Sequence, residues 1–162
     1  MRSLRSYWHA LRDQMVSDPL SPNRVATGWA LGMFVGCTVP FGLQLMVSVP
    51  LAFLLRVSKI GATVGTLITN PMTILFIYPV QTWVGSRLLG MPLSWDYVRD
   101  ACAKLVSVSL LSANGWETLS DVGGRVLGGF FFGGFLLAAV CTPITYFAVK
   151  RIVCEYRARI GR

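Results

Sequence analysis

The chain has 162 residues, room for one domain, and is 54% hydrophobic but only 14% charged, with a formal net charge of +8. Residues 25–55, 60–86 and 126–149 hold no Asp, Glu, Lys, Arg or His, in uncharged runs of 31, 27 and 24 residues. A typical soluble domain carries about 25% charged residues, and an apolar stretch of about 18 or more residues is long enough to span a bilayer, so the pattern argues against a soluble all-α protein and for an integral membrane one.

Residues 1–20 include MRSLRSYWHALRDQM, with Leu4, Trp8, Leu11 and Met15 at helical spacing and Arg2, Arg5, Arg12 and Asp13 elsewhere. That pattern predicts an amphipathic helix lying at the membrane interface, or packed on other protein. The flank is over 20 residues long and no A-x-A-like site precedes a polar domain, so the first run does not read as a cleavable signal. His9, the only histidine, reads as a polar-face residue. Ser21-Pro22 reads as an N-cap with proline at the first helical position.

The membrane domain is expected over 21–150. A helix covering the first run unbroken would be about 46 Å long, more than the hydrocarbon core. Pro40 divides it into 25–39 and 41–55, and Pro71 divides the second run into 60–69 and 72–86. Both runs therefore predict a strongly kinked span or a re-entrant hairpin. Backbone freed at such depth is tolerated only inside protein or against a wet cavity. Polar residues gather at the breaks: Thr38 and Gln44 at one, Thr66, Thr69, Asn70 and Thr73 at the other. The two breaks are expected to face each other and form one site. Gly28, Gly32 and Gly36, then Gly61 and Gly65, recur every fourth residue, a spacing that lets helices approach closely.

The stretch 94–115 opens at Ser94 and stops at Asn114-Gly115, with Val98, Cys102, Leu105 and Val108 on one face. It is too polar to span and predicts a second interfacial helix, followed by a connector over 116–125. The third run places Gly124 four before Gly128 and Gly129 four before Gly133 among Phe130, Phe131, Phe132 and Phe135. It predicts a true span, bent near Pro143, that pairs with other helices or with a second copy. Residues 151–162 read as a basic tail.

Several functions are disfavoured. The basic residues sit at run edges (Arg24, Arg56, Lys59, Arg87, Lys150, Arg151), as topology signals do, rather than in a nucleic-acid footprint. Cysteines 37, 102, 141 and 154 follow no metal spacing, so no metal or cofactor is expected. No run contains a carboxylate, and no Ser-His-Asp set or paired carboxylate exists, which argues against an enzyme.

The segment from about Ser21 to Gly90, with PFGLQ, the following Arg56-Val-Ser-Lys and GTLITNPMT, resembles the bacterial membrane family known as domain of unknown function 2062. The match extends over roughly 20–150, and Ser58 stands where family members often carry Asn. The resemblance implies a small bacterial inner-membrane protein and no established activity. Related domains occur joined to glycosyltransferases.

Half-helix N-termini suit anions. The leading expectation is a protein that binds, presents or moves an anionic, phosphate-bearing lipid or lipid-linked carrier. Candidate ligand-binding residues are Thr38, Pro40, Gly42, Gln44, Thr69, Asn70, Pro71 and Thr73 at depth, with Arg56 and Lys59 at the surface. The alternative is a non-transporting structural or accessory membrane subunit working with an envelope or glycosyl-transfer enzyme, with its breaks sealed by self-packing. Basic residues toward both termini predict that both face the cytoplasm, which one fully re-entrant run would reconcile with three apolar runs.

Overall fold

The computed structural model describes residues 18–70, 72–107 and 123–159. Among these the chain is all-helical: α1 (Pro22–Thr38), α2 (Gln44–Leu54), α3 (Lys59–Gly65) continued by a 3-10 turn (Thr66–Ile68), α4 (Ile74–Leu88), α5 (Trp95–Ser107) and α6 (Gly124–Arg159). The expected helix before residue 18, Pro71, the end of the amphipathic helix beyond residue 107 and the connector up to residue 122 lie outside the described residues.

Pro22 opens α1 at the first helical position, after Ser21. The chain then folds back so that the two ends of the first apolar run meet: the Ser58 N–H bonds the Arg24 carbonyl at 3.2 Å. Within this fold α1 and α3 pack almost backbone to backbone. A Cβ on Gly32 would overlap the Ala62 carbonyl oxygen, and one on Gly65 would lie 2.6 Å from the Trp29 carbonyl oxygen. Only residues without side chains allow that approach.

A second seam joins α4 to α6. A Cβ on Gly133 would overlap the Gln81 carbonyl oxygen, and one on Gly85 the Gly129 carbonyl oxygen. Gly124 and Gly128, of the same expected packing face, take no part: nothing lies near Gly124, and the atoms nearest Gly128 are side-chain ends at 3.8 and 3.9 Å.

α6 spans 36 residues, and among the described residues it is the one helix long and apolar enough to cross a membrane by itself. It runs through Pro143 and on to Arg159, so the basic segment after residue 150 is helical that far. Its first half packs on α4, with Phe130 edge-on to Tyr78 at 4.8 Å. Its second half enters a cluster with Val25, Ala26 and Trp29 of α1 through Val149 and Val153. Between Gly129 and Val153 the helix rises about 36 Å at about 1.5 Å per residue. The start of α1, the α2–α3 corner and the last turns of α6 therefore share one end of the molecule, and the far end of α4 lies at the other. α5 buries Val98 and Cys102 against Ile74, Tyr78 and Phe130, and keeps Asp96, Arg99, Asp100 and Lys104 exposed.

Candidate functional site

The last helical bond of α1 runs from the Val39 N–H to the Val35 carbonyl, at 2.9 Å. The next would run from residue 40 to Gly36, but Pro40 has no N–H. Gly42, at φ +95°, turns the chain, and the Leu43 N–H bonds Pro40 instead of Val39. The C-terminal carbonyls of α1 are left without helical donors. Later segments supply them. The Gln44 amide nitrogen lies 3.1 Å from the Gly36 oxygen and 3.0 Å from the Val39 oxygen. The Thr69 hydroxyl lies 3.1 Å from the Gly36 oxygen, and the Gln81 amide nitrogen 3.4 Å from the Cys37 oxygen. The Tyr78 hydroxyl accepts from Gln44 at 3.3 Å and faces the Val39 oxygen at 3.5 Å. The end of one helix is thus capped by side chains from three other segments.

The Gln44 amide also donates to the Thr69 hydroxyl at 2.8 Å, which joins the two breaks directly. Gln44 is 4% exposed and Thr69 1%. Asn70, the neighbour of Thr69, serves the start of α4 instead. Its Oδ1 accepts from the N–H groups of Met72 and Thr73 at 2.9 and 3.1 Å. Thr73 reciprocates, its hydroxyl accepting from the Asn70 N–H at 2.9 Å and lying 2.6 Å from the Ile68 oxygen. Thr38 bonds back to Phe34 within its own helix. Of the deep candidates, then, Gln44 and Thr69 meet each other, Asn70 and Thr73 meet each other, Pro40 and Gly42 shape the turn, and Thr38 acts alone.

The surface candidates sit at the end where the chain folds back. α2 stops in a Schellman motif: the Val57 N–H bonds Ala52 at 3.0 Å and the Arg56 N–H bonds Phe53 at 3.2 Å. The left-handed residue of that motif is Arg56, at φ +53°. The same motif ends α4, where the Met91 N–H bonds Ser86 and the left-handed residue is Gly90. Glycine adopts that conformation freely, whereas an L side chain costs about 1–2 kcal/mol. Arg56 is exposed, and the Lys59 ammonium lies 4.0 Å above the Phe53 ring. Arg24, Lys150, Arg151, Arg157 and Arg159 share this end, against Asp18 and Glu155. Arg87 does not: it stacks on Trp83 at the other end.

Three contributors escaped the sequence reading. Gln81 and Tyr78 carry polar groups in an uncharged run, where an amide or hydroxyl buried without a partner is costly, and that cost is the signal that could have found them. Asp18 was hidden in the flank. It is 7% exposed, accepts from the Ser58 hydroxyl and the Leu20 N–H, and its own carbonyl accepts from Arg157 at 2.6 Å. Ser58 meanwhile caps α3 by accepting from the Gly61 N–H. Among the described residues no cluster of His, Cys, Asp or Glu could hold a metal, and the four cysteines are free.

Gln44 of PFGLQ and Thr69, the residue before NPMT, are therefore the two members of one buried joint. The pattern of a bacterial family, described as an uncharacterized protein conserved in bacteria, matches residues 2–160. The chain belongs to the DUF2062 family. Membership in DUF2062 carries no assigned activity. No curated protein and no solved structure matches this DUF2062 chain.

Proposed function

We propose that this DUF2062 protein is a multi-pass protein of the bacterial inner membrane that binds anionic, phosphate-bearing lipid headgroups at its basic end and presents them there. The observation that carries the reading is the separation of charge from apolar surface. Seven basic side chains, from residues as distant as 24 and 159, come to one end. Large apolar side chains are exposed as well, among them Leu54, Met72 and Phe76 at 77%, 79% and 74%, which a lipid surround accommodates better than water does. In this reading α1 and α2 form a re-entrant hairpin entering and leaving at the basic end, α3 to α4 cross once, and α6 crosses back. Two crossings put both ends of the described chain on the cytoplasmic side, where Lys and Arg favour anionic lipid by about 1 kcal/mol each.

The closed joint at Gln44 and Thr69 supports presentation at the surface over passage through the break. It also favours a second reading, a non-transporting accessory subunit whose joint is only structural. Spin-labelled phosphatidylglycerol and phosphatidylcholine in reconstituted vesicles separate the two. Preferential immobilisation of the anionic lipid, weakened by high salt and by Arg56→Gly with Lys59→Gln, supports headgroup binding. Equal immobilisation leaves the accessory reading.

A further inference from the structure

α5 carries charged side chains at the height of two uncharged runs, 60–86 and 126–149. Its Ala101 packs with Val126, and the Cys102 sulfur lies 3.8 Å from the Thr82 hydroxyl. Ala103 shares with Leu75 and Pro79 the wall of a hollow of about 290 Å³. Along α4, Thr82 and Leu75 are about 10 Å apart. Three consecutive residues thus reach three heights, so α5 lies across α4 and not along it. Its outer face holds Asp96, Arg99, Asp100 and Lys104, all exposed, within an arc of about 140° at about 100° per residue. Arg99 and Asp100 pair weakly at 3.5 Å, and their side chains stay 59% and 67% exposed. On α4 at the same height, Leu75 and Phe76 are exposed.

We propose that α5 is the contact face of a homodimer. Two copies meet about a two-fold axis along the membrane normal, with Asp96 of one beside Lys104 of the other and Arg99 beside Asp100. The inference rests on the membrane placement above but not on the headgroup reading. In that placement the outer face of α5 lies at hydrocarbon depth, where charged side chains persist only by pairing or by meeting water. A two-fold axis along the normal sets helices that lie in the membrane plane antiparallel. The signs along the face run acid, base, acid, base, and the reversed order is base, acid, base, acid. Antiparallel copies therefore match opposite charges along the whole face. Ala103, exposed on the same face, adds little bulk to hold the helices apart. Lys104 has an interaction within its own chain, but an ammonium offers three donors. Gly129 and Gly133, which the sequence offered for pairing copies, are occupied by α4.

The test is native mass spectrometry of the full chain released from lipid nanodiscs, where the wild type is expected as a dimer. Arg99→Glu with Lys104→Glu makes the face acidic throughout, and Asp96→Lys with Asp100→Lys makes it basic throughout. Each should raise the dimer dissociation constant about ten-fold or more by setting like charges together. Each should still melt cooperatively, because the four side chains are exposed. Mixed, the two variants should form a heterodimer, recognised by its intermediate mass. A monomeric wild type, a dimer that survives in either variant, or variants that stay apart when mixed overturns the proposal. A monomer found in the membrane pellet ends the dimer alone, whereas recovery in a carbonate wash ends the placement on which it rests. Arg56→Gly with Lys59→Gln leaves α5 untouched and should leave the dimer unchanged, so the headgroup result fails independently.

Discussion

Pro40 deprives α1 of one backbone donor, and Gln44, Thr69, Tyr78 and Gln81 take up the carbonyls at its end. Replacing Gln44 by Leu removes the donor shared by Gly36 and Val39 and should lower stability by about 1–3 kcal/mol, read as a lower melting temperature in detergent. An unchanged melt would deny Gln44 its capping role. Adding Thr69→Val should not restore stability, because the Gly36 carbonyl stays buried whichever side chains are removed. Arg56 runs the other way. Arg56→Gly relieves a left-handed L residue and should raise stability by about 0.5–1 kcal/mol, while weakening anionic-lipid preference. A variant that gains stability and loses binding separates the two roles of the site. Cys102 offers a chemical check: burial pushes its thiol up, partly opposed by the Thr82 hydroxyl. A raised pKa means less thiolate at neutral pH, so maleimide should modify Cys102 more slowly than the exposed Cys154.

The two seams are built by absence of side chains, and each glycine can be graded by what a methyl group would meet. Gly133→Ala drives a carbon into the Gln81 carbonyl and Gly32→Ala into the Ala62 carbonyl. Both meet backbone, which cannot rotate away, so each should cost about 3 kcal/mol or more by forcing packed helices apart. Gly128→Ala meets only side-chain ends at 3.8 and 3.9 Å, and should gain up to about 1 kcal/mol of helix propensity. Equal melting temperatures for Gly128→Ala and Gly133→Ala would show that the α4–α6 seam does not close as described. Proline position is equally graded. Pro40 ends α1, whereas Pro50, Pro79 and Pro143 sit inside α2, α4 and α6 without ending them.

For the molecule as a whole, the re-entrant reading makes a distinct prediction for labelling. In a background without the native cysteines, Ser21→Cys and Lys59→Cys should react from the cytoplasmic face and Leu89→Cys from the opposite one. Labelling of positions 21 and 59 from opposite faces would replace the hairpin by a full crossing. The membrane placement itself predicts that carbonate washing leaves the protein in the pellet and that only detergent extracts it; recovery in the soluble wash would end that reading.

The sequence by itself determined where helices could not continue. A proline has no N–H whatever surrounds it, so a break at Pro40 followed from chemistry local to that residue. It also determined the all-helical class, the family, and that Gln44 would need a partner, since the desolvation cost of an amide does not depend on the fold. Which partner it found was decided by tertiary structure alone. Thr69 lies 25 positions away, and only the glycine seam of α1 on α3 brings it alongside. The neighbouring Asn70, equal to Thr69 on the sequence pattern, is claimed by the first turn of α4. The basic end was likewise invisible as a unit. Arg24, Arg56 and Lys150 are separate edges of separate runs until the chain folds back, because adjacency in space is set by packing of helices and not by distance along the chain.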